Sequence, residues 1–233
     1  NSFDICKWED DFLSGVLTSS VYTTAATGSG SAVAAAVLAP SASANEWGNI
    51  RLTTGTTNDG VSSMSLPLQC QGDYNAVMAI RYRISAIANV KIEIGFRDSV
   101  ASTTGTVNVL DTPSFSASNG CCWVFDTDAT TDTWAAEGVK ATSVATGVTL
   151  ATTAGGAAPV ADTYQTMVVA LMEDNAYFSR YSADGRKQGD TIMLTDCNTG
   201  SVNLAPAVFV QTRNTTSKNL DVDFFKMWQL RRS

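Results

Sequence analysis

The eight residues VKIEIGFR (90–97) alternate without a break: Val90, Ile92, Ile94 and Phe96 on one parity, Lys91, Glu93 and Arg97 on the other. Successive side chains of a β-strand point to opposite faces, so this pattern predicts a strand with one face on a core and one in water. AVMAIRYRI (76–84) comes just before it, and the SAIAN between them predicts a hairpin. QTMVVALM (165–172) is apolar on both parities, as a central strand would be. EDNAYFSRYSADGRKQG then reads as a return: a turn at Glu173, Asp174 and Asn175, a strand through Tyr177, Phe178 and Tyr181, and a second turn at Asp184-Gly185. APAVFVQTRN (205–214) and the closing NLDVDFFKMWQLRR are expected to pair across TTSK.

Strands thus follow one another with no long helix between them, which predicts an all-β antiparallel β-sandwich or jelly roll. Composition agrees, because only 16% of residues are charged and the straight-chain helix formers Lys and Glu are scarce. Two Ser/Thr/Ala-rich stretches, at about 14–45 and 137–162, read as irregular. Within the first, SAVAAAVLA (31–39) suits a short helix or a strand; the second suits one or two strands with a loop at Gly155-Gly156. No linker divides the chain, so residues 1–233 are expected to form a single domain.

Several functions are disfavoured at once. The chain has no His, which removes the usual general base, the commonest metal-binding nitrogen and every Ser/His or Cys/His nucleophile. A net charge of −7 disfavours a nucleic-acid partner. The longest apolar run, Ala32 to Ala39, falls far short of the ~20 residues of a membrane-spanning helix. The first residue is Asn, which fits either a removed start or a longer parent chain. The five cysteines, Cys6, Cys70, Cys121, Cys122 and Cys197, include no CxxC pair and are expected to be buried reduced thiols, as after assembly in a reducing cytoplasm. In a strand, the adjacent Cys121 and Cys122 would point to opposite faces.

The order of motifs carries a further signal. WEDDFLSG, NIRLTTGTTNDGVSSMSL, a strand ending in IGFRD, YFSRYSADG and finally LAPAVFVQTRNTTSKNLDVDFFKMWQLRR resemble the concanavalin A-like (laminin G/lectin-type) jelly-roll modules found among structural proteins of tailed bacteriophages. The resemblance spans most of the chain and is strongest over its last thirty residues. It implies a concanavalin A-like jelly roll that closes its first and last strands on each other. It also implies a virion component, foremost a capsid decoration protein (cement or head fibre) docked on the major capsid protein and made in the host bacterial cytoplasm. The alternative is a glycan-binding or receptor-binding module of a tail fibre or tailspike. Either role suits a homo-oligomer, because virion components occupy symmetric positions.

No catalytic, cofactor-binding or metal residue is assigned. Glucanases sharing this fold carry E-x-D-x-x-E on one strand, and none of the five Glu completes that pattern: Glu93 is followed by Ile94 and Gly95, Glu173 by Asp174 and Asn175. Asp221 and Asp223 share a face of the closing strand, roughly 6.6 Å apart from the rise per residue, and read as its wet side. Leu220, Val222, Phe224 and Trp228 would then face inward, with a break or bulge at Lys226. Asp126, Asp128 and Asp132 in FDTDATTDTW form a solvated loop, with Ca²⁺ as the alternative occupant. TTGTTNDG (53–60) is a turn whose Asn58, Asp59 and Gly60 suit a left-handed backbone, and Asn214 opens a formal glycosylation sequon. Trp8 and Trp228 are expected in the core beside the paired chain ends, leaving Trp47, Trp123 and Trp134 for a surface or interface.

Overall fold

The computed structural model describes residues 4–13, 17–34, 48–111, 114–144, 148–149 and 158–231. Among the described residues two antiparallel sheets of eight strands pack face to face, with one small hairpin outside them. Sheet A runs in the order β16 (Ile192–Leu194), β15 (Asn175–Tyr181), β14 (Gln165–Met172), β6 (Val77–Ile84), β18 (Asn219–Leu230), β4 (Ile50–Thr54) and β3 (Ser31–Ala34). β1 (Ile5–Asp10) also lies on β18, so the first and last strands pair, from Ile5 opposite Leu230 to Asp10 opposite Phe225. Sheet B runs β12 (Ser143–Val144), β11 (Ala135–Lys140), β10 (Gly120–Asp126), β7 (Val90–Arg97), β17 (Ala205–Thr212), β5 (Val61–Ser65) and β2 (Thr23–Thr27), with β13 (Val148–Thr149) also on β11. The small hairpin is β8 (Val107–Val109) with β9 (Ser114–Phe115). Among the described residues no helix is long and apolar enough to cross a membrane.

The β14–β15 hairpin forms as expected, turning where Glu173 takes a left-handed φ of 52°. The other two expected hairpins do not form. β6 lies in sheet A and β7 in sheet B, and β17 and β18 are split in the same way. Each connector instead carries the chain over the edge of the core, which lets both strands of a pair turn their apolar parity to one interior. The Ser/Thr/Ala-rich front is also more regular than expected, since it supplies β2 and β3; Ser31–Ala34 is strand, and residues 35–39 lie outside the described residues. In the second such stretch β11, β12 and β13 form, while Gly155-Gly156 lies outside the described residues.

Trp123 and Trp134 are not at a surface. Both are buried, and Trp123 meets Trp134 edge-on at 6.2 Å and Phe178 at 5.4 Å, while Trp134 meets Tyr82 at 6.2 Å. These rings come from both sheets and cross-brace the core in the edge-to-face geometry that the aromatic quadrupole favours. Trp47 lies outside the described residues. Trp8 packs on the core and donates its Nε1–H to the Tyr22 hydroxyl at 3.1 Å. Trp228 does not face inward. The register of β18 against β6 shifts between Val222 and Phe224, not at Lys226, and the bulge reverses the parity. Phe225 and Met227 therefore enter the core, and Phe224 and Trp228 turn outward, half-buried.

Candidate functional site

The outer face of sheet B is the face that the alternation in VKIEIGFR assigns to water. It is dry: Lys91, Glu93 and Arg97 are only 2%, 3% and 4% exposed. Residues 98–109 fold back over it and engage most of these polar groups, leaving Arg97 Nη1 buried without a partner. The Glu93 carboxylate accepts the backbone N–H of Thr106 at 2.5 Å and of Val107 at 3.1 Å, and it pairs with Lys91 at 3.0 Å. Lys91 donates to the Val107 carbonyl, and Arg97 donates to the Thr104 carbonyl at 2.9 Å and the Ser99 hydroxyl at 3.0 Å. Burial opposes the charge on Glu93, yet Lys91 and the two amides hold its carboxyl below the ordinary Glu range. Gly105 sits so close that a Cβ there would lie 2.6 Å from a Glu93 carboxylate oxygen, so only glycine lets the cover seat. Val107 then packs on Cys122 and Val124 of β10. What remains beneath is a cavity of about 10 Å³ lined by Glu93, Arg97, Thr106, Cys122 and Phe209, room for about one water.

Glu137 lies on the same face of β11, opposite Cys122, and its Oε2 is buried without a hydrogen-bond partner. Burial pushes its carboxyl up to about 7. Because the folded state favours the protonated form, its stabilising effect is complete below the ordinary Glu pKa and is lost as pH rises through 7. Glu137→Gln is expected to raise stability by roughly 2–3 kcal/mol near pH 8 and by less than about 1 kcal/mol near pH 5. Thermal midpoints of both proteins across that range check it, and parallel curves would refute it.

At the end of the face nearest Lys91, the aspartates considered for calcium do not converge on a common centre. Asp126 and Asp128 meet Arg213 instead: its Nε donates to Asp126 at 3.0 Å and lies 3.3 Å from Asp128, while its Nη2 pairs with Asp126. Asp59, left-handed at φ 59° in the expected turn, adds a contact to Arg213 at 3.5 Å. Asp132 is not part of this arrangement, and among the described residues no cluster of carboxylates and thiols suits a metal. A guanidinium occupies the position a cation would need. Millimolar calcium is expected to leave the thermal midpoint unchanged, and a rise of several degrees would show a bound ion.

The outer face of sheet A differs. At one end Asp221 is buried beneath Arg51 and Arg83, which donate to it at 2.6 Å, 2.9 Å and 2.8 Å, so it is not the wet residue the alternation predicts. Burial disfavours its charge, but the two guanidiniums hold its carboxyl below the usual Asp range. Asp223, half-buried, pairs with Arg81, and the Tyr164 ring lies under Arg81 at 4.3 Å and Arg83 at 5.0 Å. Toward the other end the register aligns Met193, Tyr177, Ala170, Val77 and Trp228 in one row across β16, β15, β14, β6 and β18. Met193 and Met172 are 46% exposed, and Tyr177, Phe224 and Trp228 are half-buried. Sequence periodicity missed this row because the bulge that turns Trp228 outward has no local signature.

No protein-family model matches the chain, and no curated protein matches it in sequence. Its fold does match solved structures. A protein of unknown function from Shewanella oneidensis MR-1, SO2946, aligns with a TM-score of 0.60 at 12% identity, over 98% of this chain and 89% of that one. Peanut lectin, solved with a nine-residue peptide, aligns with a TM-score of 0.60 at 10% identity, over 99% of this chain and 100% of that one. The lumenal domain of VIP36, in its Ca²⁺/Man3GlcNAc-bound form, gives 0.58 at 12% identity, over 91% and 85%. The architecture is therefore the lectin-type, concanavalin A-like jelly roll.

Proposed function

We propose that the chain is a non-enzymatic structural protein of a bacteriophage virion, most simply a capsid decoration protein that docks its sandwich on the major capsid protein. The observation that carries this reading is the apolar row on the outer face of sheet A. Met193, Tyr177, Val77 and Trp228 lie in register on a rigid sheet, and aromatic residues and Met are the side chains enriched in protein interfaces. The motif order of the sequence supports a virion setting. The covered outer face of sheet B supports a role without catalysis, because Glu93 is engaged by Lys91 and two amides beneath residues 98–109. Copies at symmetric positions on a shell would add their weak contacts together, which favours a homo-oligomeric or multivalent arrangement. In this role the protein is made in the host cytoplasm and resides on the capsid surface.

The test is cosedimentation of the purified chain with capsids that lack it. Saturable binding that is lost in a Tyr177→Ser/Trp228→Ser variant is the expected result, and absence of binding by the folded wild type would overturn the reading. One observation favours a second reading, a glycan-binding module of a tail fibre or tailspike. Tyr177 and Trp228 stand three strands apart, roughly 14 Å, with only Ala170 and Val77 between them, a spacing that suits sugar rings stacked on each aromatic. The resemblance in fold to lectins supports it. Binding on a glycan array that the same double variant loses would establish it, and a blank array would dismiss it.

A further inference from the structure

Four of the five cysteines are buried, and two of them meet: the Sγ atoms of Cys121 and Cys197 are 3.6 Å apart. The contact joins distant parts of the chain. Cys121 is on the inner face of β10 in sheet B, whereas Cys197 lies in the turn after β16, at the edge of sheet A. Gly138, directly opposite Cys121 on β11, makes the meeting possible. A Cβ at position 138 would lie 2.6 Å from the Cys197 Cβ, so the thiol occupies the slot that the glycine leaves open.

We propose that Cys121 and Cys197 are a latent disulfide, reduced in the assembled fold and closed by a peroxide to staple sheet B to the edge of sheet A. Closing the bond needs the two sulfurs to approach by roughly 1.6 Å from their 3.6 Å contact, a small adjustment for two side chains already side by side. The chemistry has defined roles. The Asn198 amide donates to the Cys197 sulfur at 3.9 Å, and this together with the Cys121 contact favours a thiolate on Cys197, while burial disfavours one on Cys121. The Cys197 thiolate attacks hydrogen peroxide, breaking the O–O bond to give a sulfenic acid and hydroxide, which takes up a proton to become water. The Cys121 sulfur then attacks the sulfenic sulfur, its proton leaves with the hydroxyl as a second water, and the S–S bond forms. The peroxide supplies both oxidising equivalents. Cys121 and Cys197 are both fully buried, so the reaction requires local opening of the turn that carries Cys197, where the neighbouring Asp196 has a left-handed φ of 55° and a side chain 76% exposed. The remaining thiols test selectivity: Cys122 is on the opposite face of the same strand, and Cys6, which is half-buried, and Cys70 come from other segments but lie near enough to interact with each other.

The proposal does not depend on the virion reading and is tested on the purified chain. Native protein treated with hydrogen peroxide should lose two hydrogens in intact mass and yield a Cys121–Cys197 linked peptide, with three of its five thiols still alkylated after denaturation. Its thermal midpoint should rise by roughly 10 °C, because the bond closes a loop of 76 residues, and dithiothreitol should reverse the rise. Cys6→Ser should keep this response and Cys197→Ser should lose it. Addition of oxygen without a cross-link, linkage of another pair, or a cross-linked protein no more stable than the reduced one would overturn the proposal. The wild-type chain alone gives these readouts, so the outcome stands even if Cys197→Ser folds poorly.

Discussion

Glu93→Ala should destabilise the protein by about 3–5 kcal/mol, lowering the thermal midpoint by roughly 10 °C, and should lift residues 98–109 from the outer face of sheet B. The size follows from what the carboxylate touches. Its loss strands Lys91 as a buried cation and removes the acceptor for the Thr106 and Val107 amides. Hydrogen exchange at those two amides is the direct measurement: both should become fast in the variant while the amides of β7 and β17 stay protected. A double variant, Lys91→Met/Glu93→Leu, should regain the part of the loss due to the stranded cation and leave the two amides fast. Unchanged exchange at Thr106 and Val107 in Glu93→Ala would mean that Val107 packing alone holds the cover.

Arg213→Ala should be of similar severity, about 3–5 kcal/mol, because it leaves Asp126 buried and charged with the backbone N–H of Asp128 as its remaining donor. The reverse deletion should be milder. Asp126→Asn leaves Arg213 in contact with Asp59 and Asp128, both well exposed, and removal of either of those should change stability by less than about 1 kcal/mol. Chemical denaturation of the four variants checks this ranking. Equal losses from Asp59, Asp126 and Asp128 would instead show that the arginine is held by the loop as a whole.

The pairing of the chain ends is what the family resemblance implies, while period-two alternation makes the all-β class, the inward parity of β7 and the β14–β15 hairpin legible, because it reports which face a strand buries. It does not report what covers the other face. Lys91, Glu93 and Arg97 read as solvent-facing because the segment that buries them is rich in Ser, Thr and Gly and has no period of its own. The same limit applies to pairing, since a five-residue connector such as SAIAN can close a hairpin or arch between sheets, and only the shared interior decides. Trp228 faces outward because of a bulge three residues before the polar break that suggests one, and Trp123 and Trp134, left for a surface only by elimination, are core residues. The Arg213 pairings, the Glu137 burial and the Cys121–Cys197 contact join positions too far apart in sequence for any local pattern to show.

The placement of β18 has a consequence for how the molecule is made. It is an interior strand, flanked by β6 on one side and by β1 and β4 on the other, yet it follows every other described strand in sequence. During synthesis β1, β4 and β6 must wait with exposed hydrogen-bonding edges until β18 has emerged from the ribosome. Sheet B, whose last member β17 comes earlier, can begin to form first. Closure of sheet A is thus tied to the emergence of β18, and the waiting edges mark the stage at which the nascent chain is most exposed to mispairing or capture by a chaperone.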